Sequence, residues 1–77
     1  MDIFHLLKEL ERREVPKRYY SINGDLSSDI HVLNQLYGKW EYFYFDEKGN
    51  RNNYHTFDNE NDACEYLLKI LVSEMGY

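Results

Sequence analysis

The sequence predicts an α+β domain. It reads as an N-terminal helix, a three- to four-stranded antiparallel meander sheet and a C-terminal helix, with both helices on one face of the sheet. Three observations carry this. The first and last stretches repeat apolar residues at helical spacing. The middle holds short runs rich in aromatic and β-branched residues, separated by Gly- and Asn-containing turns. At the centre stands Gly38-Lys39-Trp40-Glu41-Tyr42-Phe43-Tyr44-Phe45-Asp46-Glu47-Lys48-Gly49, with the only Trp and two of the four Phe. Aromatic side chains suit a pleated, half-buried surface, so this run is the central strand.

Taken in order, Asp2 is placed to cap a first helix. Ile3, Phe4, Leu6, Leu7 and Leu10 form its apolar stripe, and Glu9 precedes Arg13 by four, the favourable order for an ion pair. Pro16 stops it near Arg13 or Glu14. Residues 17–22 read as a short strand ending at the turn signal Asn23-Gly24. A polar loop with Asp25 and Asp29 follows, then a strand over residues 30–34 and a turn over residues 35–38. After the central strand, Asp46-Glu47-Lys48-Gly49-Asn50 makes a hairpin turn, with Gly49 where a left-handed residue is needed. Residues 51–57 return antiparallel as a polar edge strand. Asn59 caps the last helix, and Glu60, Asp62 and Glu65 suit its positive end. Cys64, Leu67, Leu68, Leu71 and Met75 make its core stripe, flanked by Ala63 and Ile70, and Gly76 ends it.

Composition bounds the function. Seventy-seven residues make one domain, residues 1–77. A single Cys allows no intrachain disulfide, which fits a reducing compartment. No apolar run is long enough to span a bilayer, and residues 1–5 lack the pattern of a secretory signal; the expected address is the cytoplasm, with no membrane partner. The net charge of −5 disfavours nucleic acid and favours basic partners. The order of elements matches the double-stranded RNA-binding domain in outline. The acidic start of the last helix would repel phosphate, however, so no nucleic acid is expected.

No catalytic motif is present. His5, His31, His55 and Cys64 are scattered over different elements, without the close-spaced pair that starts a metal site, so no metal and no cofactor are expected. Cys64 falls on a core stripe, where a thiol behaves as a small hydrophobe. What remains is protein binding, for which Tyr and Trp are the usual anchors; the chain has eight Tyr. Strand alternation puts Trp40, Tyr42 and Tyr44 on one face and Glu41, Phe43 and Phe45 on the other. The first set is expected to face the helices. The second, joined by Tyr19 or His31, is expected to form an open aromatic-acidic patch, for a partner or a homodimer seam.

Gly38-Lys39-Trp40-Glu41 with its aromatic strand, Asp46-Glu47-Lys48-Gly49-Asn50, Thr56-Phe57-Asp58-Asn59-Glu60 and Asp62-Ala63-Cys64-Glu65-Tyr66-Leu67 together resemble small bacterial immunity proteins. These accompany polymorphic toxins, including those of contact-dependent inhibition. The resemblance spans about residues 20–71 and lies in framework positions, so it implies no toxin-contacting residue. It implies a cytoplasmic inhibitor, not an enzyme, whose partner is a cognate toxin domain, often a basic nuclease. The candidate partner-binding residues are then Asp25, Asp29, Glu41, Phe43, Phe45 and Glu47. The other reading is a small interaction or homodimeric module with no toxin partner.

Overall fold

The computed structural model describes all residues, Met1–Tyr77. Helix α1 (Ile3–Arg12) is followed by a 3-10 turn (Lys17–Tyr19), strands β1 (Tyr20–Ile22), β2 (Ile30–Leu36), β3 (Lys39–Phe45) and β4 (Arg51–Phe57), and helix α2 (Glu60–Met75). The four strands form one sheet in the order β1-β2-β3-β4. No helix is long and apolar enough to cross a membrane.

The helix ends follow local chemistry. Asp2 Oδ1 accepts from the His5 N–H at 2.8 Å, and Asn59 Oδ1 accepts from the Asp62 N–H at 2.8 Å. Each satisfies a donor that the first helical turn cannot. Gly76 closes α2 at φ 77°, with its N–H on the Val72 carbonyl. Ile3 N–H donates to Glu60 at 2.7 Å, and Arg13 Nη1 donates to the Tyr77 carbonyl at 2.8 Å. The two helices therefore run side by side in the same direction. Both join one core with Leu33, Trp40 and Tyr42, on one face of the sheet.

Leu6 and Leu10 are fully buried and Ile3 partly so, but Phe4 is 64% and Leu7 41% exposed. At about 100° per residue, Leu6, Leu10 and Ile3 span only about 60° of the helix, and Phe4 points about 160° from Leu6. The stripe expected to hold all five is thus narrower than their spacing suggested. On α2, Ala63 and Ile70 are buried, whereas Leu68 and Met75 are only partly so.

The sheet differs from a pure meander in one respect: β1 pairs with β2 in parallel, with Tyr20 opposite His31 and Ile22 opposite Leu33. Residues 17–19 are 3-10 rather than strand, which leaves β1 only three residues long. A parallel neighbour requires the chain to return the length of the strand before pairing, and residues 23–29 make that return. Asn23, at φ 54°, uses its N–H on the Leu33 carbonyl and its Oδ1 on the Gln35 N–H, prolonging the ladder past β1. Ser21 lies opposite Val32, on the face away from the helices, and its hydroxyl donates to the Asp25 carbonyl at 3.0 Å. The return loop therefore runs against that second face.

Strands β2 and β3 pair in register from Ile30–Phe45 to Leu36–Lys39, around a two-residue turn at Tyr37-Gly38. Both turn residues have positive φ, the hairpin geometry that matches strand twist. The turn over residues 46–50 is held by Asp46. Its Oδ1 accepts from the Lys48 and Asn50 N–H groups, and Gly49 takes φ 81°. Strand β4 carries a bulge, where the register shifts between Tyr42 and Tyr44. Asn53 takes φ 55° there, so Asn53 and Tyr54 together oppose Phe43.

Candidate functional site

The second face of the sheet is closed by the protein's own side chains. Ile30, Val32 and Phe43 form a small separate core with Phe45 packed against it. The Arg51 guanidinium lies 4.7 Å from the centre of the Phe43 ring, and the Tyr54 ring stacks on it at 6.3 Å and 14°. Phe43 has no exposed surface, and Glu41 retains 7%. Glu41 accepts the Tyr54 hydroxyl at 2.7 Å and the Asn34 amide at 3.4 Å, so its carboxylate is engaged inside the protein. The expected open patch is therefore absent at Glu41 and Phe43. Tyr54 lies over Phe43 through the β3–β4 register, and the bulge supplies an extra residue on β4 that brings Arg51 to the same face. The other two expected members of the patch also lie elsewhere. His31 pairs with Tyr44 and faces the helices, and Tyr19 lies in the 3-10 turn against Tyr77.

The remaining sequence candidates divide by position. Asp25 is exposed on the return loop beside Ser21. Phe45 is half-buried. Asp29 and Glu47 are exposed and converge on Tyr44 at the end of the sheet where β2 begins and β3 ends. The Tyr44 hydroxyl donates to Asp29 Oδ1 at 3.1 Å. Desolvation raises its pKa, helped by this hydrogen bond and by the charges of Asp29, Asp46 and Glu47. The structure thus gathers Asp29, Glu47 and the unanticipated Asp46 at one end, and leaves Asp25 and Glu41 apart.

At that end, on the helix side, lies a groove of about 580 Å³ lined by His31, Tyr42, Tyr44, Asn52, Asn53 and Glu74. The bulge builds its β4 wall. Asn52 lies opposite Tyr44, and Asn53 reaches the Tyr66 hydroxyl at 3.1 Å, so consecutive Asn side chains serve the same side. The floor is polar and ordered: Tyr42 Oη and His31 Nδ1 are 2.8 Å apart, and both residues are buried. Burial lowers the His31 pKa, partly offset by the Glu74 charge. Burial raises that of the Tyr42 hydroxyl, with Tyr66, Glu74 and Tyr44 adding to the effect. Tyr42 is therefore a neutral phenol and His31 a neutral imidazole near pH 7.

Sequence reading passed over Tyr44, Asn52, Asn53 and Glu74 as site residues. Two local signals pointed to them. Paired Asn residues are out of place in a strand and mark a bulge. An acid in the last turn of a helix opposes the helix dipole. The groove brings together no nucleophile with a base. Cys64 is fully buried, and burial, with Glu60 nearby, pushes its thiol up to about 11. No group of three or more His, Cys, Asp or Glu side chains is placed to hold a metal ion. No family model, curated protein or solved structure matches the chain.

Proposed function

We propose that this chain is a non-catalytic immunity protein, which binds a cognate toxin domain of basic character, such as a nuclease, and blocks it. The observation that supports the reading best is the acidic end of the sheet. Asp29, Asp46 and Glu47 surround Tyr44 there, and Glu74 lines the adjoining groove. On a chain of net charge −5, such a cluster raises the encounter rate with a basic surface and favours it over neutral ones. The partner class comes from the sequence resemblance to small immunity proteins, the charge preference from the acidic end. Contacts are expected at Asp29, Glu47, Asp46 and Glu74. Phe43 and Glu41 act by holding the sheet.

The test is to search the neighbouring reading frames for a toxin-like C-terminal domain and to co-express the chain with any such domain. The expected result is co-elution of the two chains and rescue of growth. A chain that neither co-elutes nor rescues would refute the reading.

A second reading, a homodimeric module, is favoured by Phe4 and Leu7. They stand one turn apart on the exposed side of α1. A dimer mass in sedimentation at micromolar concentration, lost on Phe4→Glu, supports it; a monomer mass for the unaltered chain removes it.

A further inference from the structure

We propose that the groove under the end of α2 seats a lysine or arginine side chain of an extended partner segment. Glu74 would pair the cation, and His31 would donate to a carbonyl of the same segment. The inference rests on the protein-binding reading above and specifies what the partner presents.

The Tyr42 hydroxyl is buried, and the only acceptor beside it is His31 Nδ1, at 2.8 Å. The phenol must donate to it, since otherwise its proton would be buried without a partner. A neutral imidazole that accepts at Nδ1 carries its proton at Nε2. His31 is 5% exposed and lines the groove. Its Nε2 has no partner within the chain, yet no buried side-chain nitrogen or oxygen goes unpaired. Nε2–H is therefore open to the groove as a fixed donor.

The other groups left open on the walls are acceptors. The Glu74 carboxylate makes no ion pair and no hydrogen bond within the chain. Asn52 uses its amide N–H on Asp46 at 2.9 Å, which leaves its carbonyl oxygen open. Asn53 is already satisfied by Tyr66 and His55. The last turn of α2 contains no basic residue, and Arg13, the cation at that helix end, is taken up by the Tyr77 carbonyl and Glu9. Lys48 lies in the exposed turn, and Arg51 is turned to the opposite face over Phe43. One donor, two acceptors and a negative field suit a cation next to a carbonyl, the arrangement that a basic residue within a peptide presents. They repel an anion. A metal ion would need a lone pair at Nε2, which holds a proton. The volume lies within the range of about 300–1,000 Å³ typical of ligand clefts.

The test is a titration of the full chain with blocked Gly-Arg-Gly and Gly-Lys-Gly peptides, followed by nitrogen-15 NMR, with blocked Gly-norleucine-Gly as the uncharged control. The proposal expects saturable shifts at the His31 Nε2–H and the Asn52 side-chain amide, with affinity in the region of 1 mM. Glu74→Gln should weaken binding about tenfold, and Glu65→Gln, exposed on the first half of α2 and outside the groove, less than about twofold. Equal shifts with the norleucine peptide, shifts located elsewhere, or none by about 20 mM would overturn it. Should the toxin domain bind the unaltered chain and Glu74→Gln equally while the peptides fail to seat, the groove assignment falls and the immunity reading stands. Should the peptides seat and no toxin domain be captured, the converse holds.

Discussion

His31 links burial to pH. Its folded pKa lies below the ordinary value of 6.5, because burial disfavours the cation. Above that value the ring is neutral in both states and contributes no slope. As pH falls through it, the unfolded chain takes up the proton first, and stability drops until the folded ring also titrates. Urea midpoints should therefore fall between pH 7 and 5. In the double variant His31→Phe/Tyr42→Phe, both polar partners are replaced together. That variant should keep its stability at pH 7 to within about 1 kcal/mol and lose most of the slope. Across the sheet, Phe43→Ala should cost about 3–5 kcal/mol in chemical denaturation. That is a large part of the roughly 5–10 kcal/mol available to a small domain. Sequence alternation assigned Phe43 to its face but not to an interior, since what covers a strand face comes from other strands.

Among the elements, the hairpins show where local rules suffice. In the turn over residues 46–50, Gly49 supplies the left-handed residue, legible from its type, and the Asp46 carboxylate accepts from the turn's N–H groups. At the other hairpin Tyr37 takes φ 51° with its side chain fully in solvent, a conformation that disfavours a large residue. Tyr37→Asn should stabilise the protein by about 1 kcal/mol, read as a rise in melting temperature. Asn53, at φ 55° in the bulge, carries the opposite expectation. Asn53→Val should destabilise by about 1–3 kcal/mol and shift the His31 and Asn52 NMR signals, because the groove wall depends on the extra residue. The parallel β1 was not legible. Three residues carry too little pattern to fix their neighbour, and Asn23-Gly24 signals a turn equally well for a hairpin or a return loop.

For the whole molecule, charge and shape act together. The acidic end and the groove share one corner, so a basic partner steered by the net charge arrives where the open carboxylates lie. Association with such a partner should slow more than about tenfold from low salt to about 0.5 M, while dissociation changes less. Stopped-flow mixing measures both. A rate independent of salt would remove the electrostatic part of the proposed function. The candidate site was legible only in part. Asp29 and Glu47 were recognisable as exposed loop acids, but their meeting with Glu74 depends on the length of α2 and its path across the sheet.

By itself the sequence determined the α+β class, both helices and their caps, the central aromatic strand and the division of its residues between two faces. These follow from spacing, capping chemistry and glycine placement, all of which act over a few residues. Only the tertiary structure decided that the second face is closed, that β1 joins in parallel and that His31 turns toward Tyr42 and Glu74 instead of Phe43. Each depends on register between distant segments. The extra residue at Asn53 brought Arg51 to the Phe43 face beside Tyr54 and turned Asn52 to the groove beside Asn53.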